Sequence, residues 1–117
     1  MVEVVKVLIE NQEGKFLAVR VAESGQWELP GGKIEEDEDR FSAARREVKE
    51  ETGFKTESFE ELMRLDVHRD STVKCWMIHT RNFSGELSTN DAEVDDARWV
   101  SSKEFYKLDW STDAGFN

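Results

Sequence analysis

At 117 residues the chain is long enough for one hydrophobic core and short of a second, so a single domain over residues 1–117 is expected. Its 26 acidic against 16 basic residues leave a formal net charge of −10, which excludes a nonspecific binder of duplex nucleic acid, because such a binder needs a basic surface to displace counterions. With 36% charged and 10% aromatic residues and one proline, the composition is that of a folded domain, and no apolar run approaches the ~20 residues that cross a bilayer.

Residues 2–10 are rich in β-branched side chains and read as a buried strand; Asn11, Gln12, Glu13 and Gly14 form a turn, and residues 15–21 a second strand, together a predicted hairpin. Residues 22–26 are a loop, and Trp27, Glu28 and Leu29 a short extended piece in which Trp27 belongs to the core. Pro30 holds Leu29 extended. Gly31 and Gly32 then offer backbone angles closed to other residues, so that a phosphate or metal could approach the main chain, or simply form a tight turn.

Residues 39–52 favour a helix, with Phe41, Ala44 and Val48 spaced by three and four to give one apolar stripe and Gly53 as the C-terminal stop. The acids from Glu35 to Asp39 sit at its N-terminal end, where the helix dipole favours them. Residues 59–68 and 71–81 read as strands joined through His68, Arg69 and Asp70. A turn at Ser84 and Gly85, an acidic loop over residues 90–96 and a last strand over residues 97–100 with Trp99 follow. Ser101 and Glu104 have capping-box spacing and open a short helix to about Leu108, before a tail over residues 109–117. Cys75, the only cysteine, has no intramolecular partner, and no charged-then-apolar leader opens the sequence, so a reducing, cytoplasmic setting is expected.

The acids of the helix are oddly placed. Glu47, Glu50 and Glu51 fall at i, i+3 and i+4 on one face, where like charges repel, and they crowd the C-terminal end, where acidic side chains are disfavoured by up to ~1 kcal/mol each. Helix stability alone would not choose that pattern. A hard divalent cation such as Mg²⁺ or Mn²⁺ gathers carboxylates that otherwise repel, so the cluster reads as a metal site; the plainer alternative, in a chain with 26 acids, is a solvated acidic face.

The frame around the cluster decides between them. Gly32, Glu38, Arg46, Glu47, Val48, Glu50, Glu51, Gly53 and Phe54 resemble the Nudix box, residues 32–54, at every specified position. A chance match to that pattern is about one in a million for a chain of this length. The resemblance implies an α/β (α+β) fold with a mixed sheet sandwiched between helices, here with a short C-terminal helix. How that short end covers its sheet face is open, and a homodimer partner is one way to cover it.

The resemblance further implies hydrolysis of a diphosphate bridge in a nucleotide with Mg²⁺ or Mn²⁺. The expected metal ligands are Glu47, Glu50 and Glu51, with the main-chain carbonyl near Gly31 or Gly32 as a further oxygen donor. Arg46 would orient a carboxylate, in company with Glu38. Family members often add an acid shortly before a strand with a Trp, and Glu93, six residues before Trp99, fits that place as ligand or base. Lys33 and Arg20 are the cations expected near substrate phosphate. A base could stack on Trp76, Trp110 or Tyr106, although aromatics at such spacing are more often core. His68 and His79 have no metal-ligand spacing with Cys75 or each other.

The expected activity is thus a metal-dependent pyrophosphohydrolase acting on a small-molecule nucleotide, foremost a canonical or oxidised nucleoside triphosphate cleaved to monophosphate and pyrophosphate. ADP-ribose or a dinucleoside polyphosphate is the alternative substrate, and a nucleotide sensor or interaction module without turnover the alternative from another class.

Overall fold

The computed structural model describes residues 2–68, 72–89 and 91–110; the predicted link through Arg69 and Asp70, the first residue of the predicted acidic loop and most of the tail lie outside them. Among the described residues, seven strands and two helices follow in the order β1 (Val2–Ile9), β2 (Phe16–Val21), β3 (Trp27–Glu28), β4 (Gly31–Lys33), α1 (Arg40–Thr52), β5 (Lys55–His68), β6 (Thr72–Ser84), β7 (Val94–Val100) and α2 (Ser102–Phe105). They form two sheets, one of four strands in the order β4-β1-β6-β5 and one of three in the order β3-β2-β7. In the larger sheet β1 runs parallel to β6 and antiparallel to β4, so the sheet is mixed as expected.

The β-branched run of β1 explains its central place. Val5, Val7 and Ile9 are fully buried on one face and pack with Ala43, Ala44 and Val48 of α1, with Leu17, Phe54 and Ile78 completing the cluster. Phe41, the first residue of the predicted stripe, is only partly buried and stacks on Phe59 at 6.0 Å. Asp39 caps α1 by accepting from the Ser42 N–H at 2.8 Å, and Gly53 ends it with φ 78°. Phe54, Phe83 and Trp99, with ring centroids 4.9–6.1 Å apart, tie the loop after α1 to β6 and β7.

Four expectations need correction. The turn at Asn11 forms, its side chain accepting from the N–H groups of Glu13 and Lys15 at 2.9 and 3.0 Å, but the hairpin does not continue: beyond a bridge between Glu10 and Phe16 the two strands enter different sheets. Each strand is apolar enough to be buried by other partners, and β1 takes β6 and β4 instead. Gly31 and Gly32, for which a tight turn is the plainer expectation, instead open strand β4 with Lys33, Gly31 opposite Lys6 and Gly32 opposite Val5. The strands after α1 are longer than periodicity indicated, because their mutual ladder carries polar ends such as Lys55 and Ser84. Conversely, α2 stops at Phe105, short of Leu108, although its capping box at Ser101 and Glu104 is intact. Beyond it the chain turns so that the Asp109 carbonyl accepts from the Trp27 N–H at 2.8 Å and the Trp110 indole donates to the Phe105 carbonyl at 2.6 Å. Docking beside β3 replaces a further helical turn.

The face of β1 away from α1 carries Val4, Lys6 and Leu8. Towards Leu8 it opens on a cavity of about 330 Å³ lined by Leu8, Met77, Leu29, Phe16, Phe105 and Tyr106. Thus α2, short as it is, supplies part of the cover that this face needed.

Gly31 is the tightest point of the fold. Its φ is 148°, and a Cβ placed there would lie 2.0 Å from the Val5 carbonyl oxygen, a backbone atom that cannot swing aside. Gly31→Ala is therefore expected to cost at least about 2 kcal/mol of stability by separating β4 from β1. Urea denaturation measures it, and an unchanged midpoint would contradict the close approach.

Candidate functional site

Helix α1 packs against β4 so that its acidic side meets the two glycines. A Cβ on Gly32 would lie 2.7 Å from the Glu47 carboxyl, so the missing side chain is what gives Glu47 its place. Glu51 is buried at 7% exposure, faces Glu47 within hydrogen-bonding reach, and accepts from the Gly31 N–H at 3.4 Å. Burial, and then the Glu47 carboxylate opposite, hold the Glu51 carboxyl well above the ordinary range, so it carries a proton at neutral pH when no cation is bound.

Arg46 organises the outer side of this pair. Its guanidinium grips Glu38 with Nε at 2.7 Å and Nη2 at 2.8 Å, reaches Glu47 with Nη1 at 2.8 Å, and donates to the Lys33 carbonyl at 3.1 Å. The bidentate contact, helped by the Glu35 N–H, pulls the Glu38 carboxyl down to about 2, and the same pairing raises Arg46 further above its already high value. One clamp thereby joins the loop before α1, the helix and β4.

Glu50 is half-exposed, with its Oε2 3.6 Å from Arg46 Nη1. Arg46 therefore stands between Glu50 and Glu47, and among the described residues no three His, Cys, Asp or Glu side chains converge as a ready-made metal cage. The Glu47–Glu51 pair, Glu51 buried and Glu47 partly so, is the part of the predicted triad that the structure brings together.

The other predicted residues are dispersed. Lys33 is exposed, on the wall of a surface cavity of about 580 Å³ that it shares with Glu3, Ile34, Glu35, Glu36 and Glu38, so it is a lone cation among acids there. Arg20, on β2, is bound to Asp95 of β7 at 2.7 Å. Glu93 is exposed at the turn into β7; its N–H donates to Asp91 at 2.7 Å and its carbonyl accepts from Ala22 at 2.9 Å, and its carboxylate has no hydrogen bond or ion pair to the Glu47–Glu51 pair among the described residues. Of the candidate stacking aromatics, Trp76 has the guanidinium groups of Arg40 and Arg64 4.4 and 5.6 Å from its ring, Trp110 packs on Phe105 at 4.6 Å, and Tyr106 lines the apolar cavity.

One residue that the sequence reading passed over stands out. Lys6, in the middle of β1, is 2% exposed and bonds to Glu28 Oε2 at 3.1 Å. The signal was present as a single charge inside the buried run VVKVLI.

The Glu51 carboxyl sets a pH dependence. Its folded pKa lies above the ordinary value of 4.5, so between the two values the folded state binds more protons than the unfolded state. Stability is then complete below the ordinary Glu range and falls as pH rises through neutrality, by up to about 1.4 kcal/mol per pH unit. In chelator, Glu51→Gln is expected to flatten that slope. Denaturation midpoints of both proteins across pH 5, 7 and 9 test it, and parallel profiles would remove the buried acid from the account.

Comparison with known proteins bears on the family and the fold. The family model of the NUDIX domain matches residues 2–116. Nudix hydrolase 10 of Arabidopsis thaliana is 36% identical over 97 residues, covering 80% of this chain and 34% of its own length. The CTP pyrophosphohydrolase of Escherichia coli is 34% identical over 110 residues, covering 89% of this chain and 78% of its own. The crystal structure of MutT protein from Methanosarcina mazei superposes with a TM-score of 0.83 at 26% identity, covering 98% of this chain and 86% of that one. The chain spans about a third of the length of the first curated relatives it matches. No helix among the described residues is long and apolar enough to cross a membrane. With a complete box, a mixed sheet that seats the box helix on two glycines, and a family match along nearly all of its length, the chain belongs to the Nudix family.

Proposed function

We propose that the chain is a metal-dependent pyrophosphohydrolase that cleaves a phosphoanhydride bond of a nucleotide, foremost a canonical or oxidised nucleoside triphosphate, to a monophosphate and pyrophosphate. The observation that carries the reading is the Glu47–Glu51 pair, two carboxyls held face to face and largely out of water, one of them kept neutral by burial. Such a pair is costly for folding and useful for a cation.

The donor set fits Mg²⁺ or Mn²⁺, which take hard oxygen ligands. Glu47, Glu50 and Glu51 would hold the ion, with the main chain at Gly32 and the Glu93 carboxylate as further donors. When bound, it supplies screening of the phosphate charge and activation of water.

The chain's own residues do the rest. Arg46, gripped by Glu38, holds the Glu47 carboxylate from the outer side and so orients it beside Glu51. Gly31 and Gly32 keep the wall beside the pair free of side chains, where a diphosphate can approach the main chain. Glu51 gives up its proton when a cation enters, which links binding to pH. The apolar cavity between Leu8, Met77 and Tyr106 is of a size to receive a nucleobase. Lys33 and Arg20 are the proposed phosphate contacts, Arg20 after release from Asp95. The naming of one relative as a CTP pyrophosphohydrolase supports the same reaction class.

Product analysis by chromatography, after incubation with Mg²⁺ and a panel of nucleoside triphosphates, oxidised forms, ADP-ribose and dinucleoside polyphosphates, tests the reading. One member is expected to release a nucleoside monophosphate, and the release should stop in chelator. Glu50→Gln and Glu51→Gln should each lower turnover about 100-fold or more while the protein still folds. Full activity in either variant would sink the site assignment, and absence of turnover across the panel would favour a nucleotide sensor.

A further inference from the structure

Lys6 is an expensive residue to place where it is. Val4, Val5 and Val7 around it are 0–8% exposed, and Lys6 itself is 2% exposed, so its ammonium has left water for a single partner, Glu28 Oε2 at 3.1 Å. Burying such a pair rarely stabilises a fold, since an apolar residue of similar volume does as well or better. The two partners are also unequal. The side chain of Lys6 is 3% exposed and that of Glu28 is 20% exposed, so Glu28 can turn to solvent while Lys6 stays where it is.

Its position lies between the two halves of the site. Along β1, Leu8 is two residues on, on the same face, and Met77 is the cross-strand partner of Lys6; both line the apolar cavity. On the other side the cross-strand partner of Lys6 is Gly31, whose N–H is held by Glu51. The ammonium is near enough to Glu51 for its charge to be felt there. The cavity lies on the face of β1 that carries Lys6, and the carboxyl pair lies on α1 beyond the edge strand β4, so a ligand with its base in the cavity and its phosphoanhydride at the pair would cross β4 at Gly31, beside Lys6.

We propose that Lys6 is a phosphate-binding residue of this site, exchanging its ion pair with Glu28 for a phosphate of the bound nucleotide. This rests on the hydrolase reading above and adds to it a residue outside the box. In the free protein Glu28 keeps the buried cation neutralised. When substrate enters, a phosphate oxygen takes the position of the Glu28 carboxylate, and Glu28 turns outward into water. Lys6 is thereby a fixed positive charge beneath the surface of a chain with net charge −10, and Glu28 is its competitor for the ligand.

Calorimetric titration with inorganic pyrophosphate in Mg²⁺ tests this independently of base identity, on the wild type and on Lys6→Gln, Lys6→Arg and Glu28→Gln, with melting curves for each. Lys6→Gln is expected to weaken pyrophosphate binding about tenfold or more, and Lys6→Arg to retain most of it. Glu28→Gln is expected to tighten binding, because it removes the competing carboxylate, even while it lowers the melting temperature. A purely structural ion pair predicts lower melting temperatures with no change of Kd in either variant, and that result overturns the proposal. Should Lys6→Gln not fold, the sign of the Glu28→Gln effect decides alone: tighter binding supports Lys6, equal or weaker binding rejects it. Wild-type turnover with an unmoved Kd rejects Lys6 while leaving the hydrolase reading intact; a wild type that neither binds pyrophosphate nor turns over the nucleotide panel rejects both.

Discussion

The close approach of α1 to β4 is the constraint on which the rest of the structure depends. It exists because two consecutive residues have no side chain. At Gly31 a Cβ would strike the backbone of β1, and at Gly32 it would strike the carboxyl of Glu47. Removing both lets β4 pair with β1 on one side and receive the acidic side of the helix on the other. Everything chemically unusual about the molecule lies within reach of that contact.

Its electrostatics follow from the packing. A surface glutamate three or four residues from another would settle the repulsion by pointing into water. Glu51 cannot, because the helix is drawn down by Ala44 and Val48 and the carboxyl is carried beneath the surface with them. The charge is instead managed locally: Glu51 takes up a proton, and Arg46 pins Glu47 from outside while being pinned by Glu38. Two ion-paired groups flank Glu51: Glu38, Arg46 and Glu47 on the side of the loop before α1, and Lys6 with Glu28 on the side of β3.

The two sheets divide the labour. The four-stranded sheet supplies a rigid floor, with β1 at its centre presenting valines to α1 and a mixed face of Val4, Lys6 and Leu8 to the opposite side. The three-stranded sheet, with α2 and the segment ending at Trp110, walls the cavity above that second face. On the function proposed above, substrate choice would reside in the second face and its walls, since the carboxyl pair would meet only what nucleotides have in common.

The residue pattern alone determined the family, the helix over residues 39–52 with its stop at Gly53, and the existence of most strands, because those depend on local spacing and on a motif in which each position has a specific chemical reason. It also singled out Glu47, Glu50, Glu51 and Arg46 as a group. Only the tertiary structure decided that the first two strands part into different sheets, that Gly31 and Gly32 pair as a strand, and that α2 ends early so that the chain can dock on Trp27. It alone distinguished a buried Glu51 from a half-exposed Glu50, since both lie on the same helix face and differ only in what packs over them. Lys6 shows the limit most clearly: a charge in an apolar run is visible in the sequence, but its meaning is set by Glu28, 22 residues away, and by the glycine across the ladder. Long-range pairing of buried charge is not encoded in any local period.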